Sequence, residues 1–162
     1  MSRVSRIVLA IALAAAPAAL PAQQPVPGAP GWLLFDHLPG VEGRSCMART
    51  NGPEADTMLI FNNVGVPLLI AGWADRYNEG GEAEVRLSVD GAPPVSLQGG
   101  IALNLVLVSV EDAALLQRLR EARTLDWTFP FGRFRANVAG LGTALDAVRA
   151  CRDAAPAPTG TR

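Results

Sequence analysis

At 162 residues, with 49% hydrophobic and 18% charged side chains, the chain suits one domain with a buried core and is too apolar for an unfolded polyelectrolyte. Fourteen basic residues against fifteen acidic ones leave a formal charge of −1, which offers no electrostatic footprint for nucleic acid. One His and two Cys leave little material for a metal centre or a His-dependent mechanism, and the residues call for no cofactor.

Residues 1–22 read as a secretory signal peptide. Arg3 and Arg6 form a positive start, and residues 7–16 are an unbroken apolar run. Pro17 ends that run, and Leu20-Pro21-Ala22 supplies a cleavage site. The run is shorter than the roughly 20 apolar residues that span a bilayer. Cleavage leaves a mature chain of about 140 residues with no transmembrane segment, enough to bury about two-thirds of its unfolded surface. The expected location is the periplasm or the exterior, where an isolated cysteine pair forms a disulfide. Cys46 and Cys151 are therefore expected to be bonded, and neither has the His neighbour or Cys-X-X-Cys spacing of a reactive thiol.

Residues 23–31 hold three Pro and two Gly and read as a flexible arm. Residues 32–153 form a single β-rich domain. Strands are expected over residues 32–38, 45–49, 57–62 and 67–73. Met58-Leu59-Ile60-Phe61 is continuously apolar, which points to burial on both faces. Glu84, Arg86 and Ser88 alternate with Val85, Leu87 and Val89, the period of a half-buried strand. Asp90-Gly91 is a hairpin turn, and Pro93-Pro94 should keep the next segment at an edge or out of the ladder. Residues 101–108 read as one long buried strand.

Ser109 to Asp112 resembles a capping box with Ser109 at the N-cap, with Leu115, Leu116 and Leu119 beyond it at helical spacing. Residues 125–129 and 133–138 form a hairpin around Pro130-Phe131-Gly132. A second helix, over residues 141–152, places Leu141, Ala144, Leu145, Val148 and Cys151 on one stripe. Cys151 should thus face the sheet that holds Cys46. Residues 154–162 read as a disordered tail. The expected fold is α+β: mainly antiparallel, a curved sheet or sandwich of about eight or nine strands, with two packed helices, one of them C-terminal.

Catalytic signatures are weak. His37 adjoins Asp36, but neighbours on a strand point to opposite faces and cannot form a relay. Asp90-Gly91-Ala92 lacks the hydroxyl residue of an aspartic-protease core and reads as a turn. Glu79, Glu82 and Glu84 lack calcium-loop spacing. Two surfaces qualify as binding candidates. Trp73, Arg76 and Tyr77 group residue types enriched at binding hot spots, against the plainer reading of a strand end and a solvated loop. Arg133 and Arg135 share one strand face, near which Arg118, Arg120 and Arg123 could gather, against a solvated face.

The signal peptide, the early Trp32 and Cys46, the strand ending in Asp90-Gly91, the helix before the return hairpin, and Gly140-Leu-Gly-Thr-Ala-Leu145 together resemble small exported bacterial proteins of the invasion-associated locus B type. That resemblance implies a β-rich periplasmic domain with a non-enzymatic, host- or envelope-associated role. The expectation is an exported binding or accessory protein that recognises a protein, a peptide or an envelope component. The alternative is a small periplasmic hydrolase with an unrecognised site.

Overall fold

The computed structural model describes residues 23–36, 46–50, 57–61, 65–72, 81–102 and 105–154. Residues 1–22 and 155–162 lie outside them. Ten strands among the described residues form one antiparallel sheet: β1 (Gln23–Pro25), β2 (Trp32–Phe35), β3 (Met47–Thr50), β4 (Thr57–Phe61), β5 (Pro67–Gly72), β6 (Gly81–Val89), β7 (Val95–Ala102), β8 (Leu105–Ser109), β9 (Thr124–Phe129) and β10 (Gly132–Asn137). Their order is β1-β2-β3-β4-β5-β8-β7-β6-β9-β10. Two helices complete the domain, α1 (Ala113–Glu121) and C-terminal α2 (Leu141–Asp153). The α+β expectation holds in its curved-sheet form, with the sheet curled into a half-barrel.

Period-two alternation decides which side chains go inside. Val85, Leu87 and Val89 of β6 are buried while Glu84 and Arg86 are exposed. Leu125, Trp127 and Phe129 of β9 point the same way, and Trp127 stacks on Phe129 and Phe134 at centroid distances of 5.8 and 6.0 Å. Beneath β2–β5 the concave face is covered by the helices. Leu116 and Leu119 of α1 and Leu141 and Leu145 of α2 meet Leu59 and Leu69 around an apolar void of about 10 Å³.

Several expectations change. Residues 23–31 are not a free arm. Gln23–Pro25 pair with β2, and Val26 and Ala29 are buried. Residues 101–108 are not one strand but parts of the β7/β8 pair, which reverses between Ala102 and Leu105. Pro93-Pro94 do not push β7 to the edge. They end just before Val95, and β7 lies between β6 and β8. Ser109 ends β8, and the cap of α1 is Asp112, whose carboxylate accepts from the Leu115 amide at 2.7 Å. Asp112 takes the cap because Val110 still belongs to the sheet, its amide donating to the Pro67 carbonyl.

Helix α2 braces the open sheet. Its start touches the first strands: the Trp32 indole N–H donates to the Ala139 carbonyl at 3.0 Å across 107 residues. Its last turn is bonded to the sheet by the Cys46–Cys151 disulfide, with Cα atoms 6.0 Å apart. The inward stripe of α2 places Cys151 as expected. Phe61 lies beneath the same turn, with the Arg152 and Arg149 guanidinium carbons 4.6 and 5.6 Å from its ring centre. The two helices approach closely because Gly142 has no side chain: a Cβ there would sit 2.5 Å from the Arg120 carbonyl oxygen. Bidentate bonds from Arg120 to Asp146, at 2.9 and 2.7 Å, join the helices at the surface.

The brace leads to two stability predictions. Removing the disulfide should cost about 2–5 kcal/mol, because it closes a long loop in the unfolded chain. Cys46→Ala, Cys151→Ala and the double variant should unfold at similar denaturant concentrations, since each deletes the same cross-link. Gly142→Ala should destabilise by roughly 1–3 kcal/mol, although Ala is favoured over Gly in a helix by about 1 kcal/mol. A raised midpoint for that variant would show that the helices can separate at no cost.

Candidate interaction surface

The convex face of the sheet divides into two halves of opposite character, and strand register builds both. In the first half, Leu33, Arg49, Met58, Ile70 and Leu107 stand side by side across β2, β3, β4, β5 and β8. The next row along the strands is Phe35, Met47, Ile60 and Leu68. These side chains alternate with the buried Trp32, Ala48, Leu59, Leu69 and Val108, so they point away from the helices. All are half-buried except Ile70 near the middle, which is 4% exposed. Arg49 is the single charged residue in these rows. This half is therefore an apolar surface five strands wide, and its two methionines bring adaptable, unbranched side chains.

The second half lies on β6, β9 and β10 and is polar. Arg86, Thr128 and Arg133 form one cross-strand row, and Ser88, Asp126 and Arg135 the next. Arg135 holds Asp126 through Nε and Nη2 at 2.6 and 3.0 Å, which keeps its guanidinium above its ordinary pKa. Glu84 accepts from Ser96 at 2.9 Å and lies 3.5 Å from Arg86. β7 forms the boundary, with exposed Ser96, Gln98 and Gly100.

Asp90 clasps the end of the polar half. Its φ of 50° and the 74° of Gly91 give the left-handed pair of a tight hairpin turn. The turn aims the Asp90 carboxylate at the start of β9. There it accepts from the Thr124 amide at 2.7 Å, the Thr124 hydroxyl at 3.1 Å and the Arg123 amide at 3.0 Å. The Thr124 backbone bond is the main reason that the carboxyl titrates below its ordinary value near 3.8. Asp146 is also lowered, chiefly by its hydrogen bonds from Arg120.

No family model matches the chain, and no curated protein or solved structure matches it either. Arg133 and Arg135 are exposed on β10, and Arg120 of α1 does not join them. Arg120 turns instead to Asp146 on α2, and Arg123 contributes its backbone amide to Asp90. Trp73, Arg76, Tyr77 and His37 lie outside the described residues. Among the described residues no three His, Cys, Asp or Glu side chains gather as metal ligands, and no helix is long and apolar enough to cross a membrane. The apolar half was not singled out from the sequence. Its signal was the unbroken Met58-Leu59-Ile60-Phe61 run, which marks two apolar faces but not what each one meets.

The two carboxylates predict an acid-sensitive fold. A group whose pKa is lowered by folding stabilises the native state above its unfolded pKa, and that contribution fades as pH falls through the lowered value. Asp90→Asn should therefore lower stability by about 1 kcal/mol at neutral pH. The gap from the parent protein should close as pH falls below the ordinary carboxylate value near 3.8. Urea midpoints across that fall provide the check, and a gap that stays constant with pH would remove the charge from the explanation.

Proposed function

We propose that the chain is an exported, non-enzymatic binding or accessory protein of the periplasm, and that it holds a partner protein against the apolar half of its convex sheet face. The half-buried rows from Leu33 to Leu107 and from Phe35 to Leu68, with Ile70 buried at their centre, carry this reading. Apolar surface left against water costs about 25 cal/mol per Å², and contiguous patches of it mark contact surfaces. Nothing in the core requires it, since the opposite faces of the same strands already meet the helices. The Cys46–Cys151 disulfide and the apolar run at residues 7–16 support export to an oxidising compartment. The resemblance to invasion-associated locus B proteins favours an envelope-associated partner.

Expression with residues 1–22 in a bacterial host should place the protein in the periplasm with an N-terminus at or near Gln23. A cytoplasmic product that keeps Met1 would end the export reading. A photo-crosslinker at Met58 should then yield one discrete heavier adduct in the periplasm, and the same group at Ser96 none. Ile60→Asp should abolish the adduct while lowering the unfolding free energy by only about 1 kcal/mol, the centre of the range for point substitutions. Equal adducts from Met58 and Ser96, or none from either, would discard this surface.

A further inference from the structure

β10 is the last strand in the sheet, and among the described residues nothing pairs with its outer edge. The hairpin fixes which of its backbone groups are free. Gly132 lies opposite Phe129, and the Val138 amide donates to the Arg123 carbonyl at 2.8 Å. Even-numbered residues therefore turn their N–H and C=O groups toward β9, by the alternation of an antiparallel ladder. Arg133, Arg135 and Asn137 turn theirs to the open edge.

The opposite end of the sheet is protected. β1 has three residues, and the Val26 amide donates to the Trp32 carbonyl, so Pro25 faces outward in that alternation and brings no N–H. β10 has six residues in unbroken register and no proline. Its two faces also differ at the edge. On the convex side stand Arg133 and Arg135, both exposed. On the concave side half-buried Phe134 and Phe131 border a stacked aromatic group, with Phe129 5.7 Å from Phe134 and 5.1 Å from Phe131.

We propose that β10 accepts an extended segment of a partner protein as an added strand, one with acidic side chains on the convex side. The free N–H and C=O groups of Arg133, Arg135 and Asn137 provide the backbone ladder. Acidic side chains on the convex side meet the two arginines. A second copy of this chain is a poor occupant. Antiparallel pairing of β10 with itself, with convex faces aligned, sets arginine against arginine, and like charges directly opposite are destabilising. The proposal rests on the chain being a binding protein but does not use the apolar half of the sheet.

The test is amide hydrogen exchange on the full mature protein, with and without a short capped peptide alternating glutamate and valine. Arg133, Arg135 and Asn137 amides should gain protection, while the inward Phe134 and Ala136 amides should not change. A peptide alternating lysine and valine should bind on the order of tenfold more weakly, and Arg133→Glu should narrow that preference. A glutamate–valine peptide N-methylated on the positions that face β10 should not bind. Equal affinity for the two charge patterns, binding of the methylated peptide, or no protection at the three amides would each overturn the proposal. Peptide-induced shifts confined to the Met47 and Ile60 side would overturn it too, yet leave the apolar contact surface standing. Loss of the Met58 adduct with intact peptide protection would do the reverse.

Discussion

An antiparallel sheet that curls without closing needs something other than strand pairing to hold its ends. In this chain β1 and β10 lie at opposite ends of the strand order, and α2 holds the two ends together. The helix begins just after β10, where Ala139 takes the Trp32 indole N–H and Gly140 lies against Ala29. It runs beneath β2, β3 and β4 and ends at the disulfide to Cys46. One element thus joins the last strand to the first ones, by a hydrogen bond at its start and a covalent bond at its end. The curvature depends on this brace, and so does the shape of both halves of the convex face.

Local features were legible where local chemistry decided the outcome. β6, β9 and β10 alternate cleanly because each has one wet face, and the inward stripe of α2 placed Cys151 toward Cys46. Reading failed where two structures fit the same pattern. Residues 101–108 are apolar almost throughout, and such a run carries no mark of a reversal between Ala102 and Leu105. The helix start reads as a capping box on Ser109, yet Asp112 is the cap. The choice fell to the β5 contact that keeps Val110 in the sheet, a contact between distant segments. Gln23–Pro25 is Pro-flanked and short, and only β2 makes it a strand.

The candidate surfaces were less legible for the same reason. Arg133 and Arg135 could be assigned to a shared face from period two alone. That this face adjoins an edge with no partner strand among the described residues depends on strand order, which places β10 outside β9 and β6 beyond it. The apolar half requires five strands from two distant stretches of the chain to be set in register. Until β8 is placed beside β5, Leu107 has no reason to be grouped with Ile70, Met58 and Leu33.

The division of the convex face is itself informative, because both halves solve the same core problem. β6, β9 and β10 fill their concave side with Trp127, Phe129 and Phe134 and leave polar groups outside. β2 to β5 and β8 fill theirs with Leu59, Leu69 and Val108 under the helices, and an equally polar exterior would have sufficed for folding. The apolar exterior is therefore an addition, on the half whose underside is bonded to α2 at Cys46. Binding loses less free energy to ordering when the surface is already rigid. A contact surface backed by a disulfide and two packed helices meets that condition, whereas at the β10 edge an added strand supplies its own order through backbone hydrogen bonds.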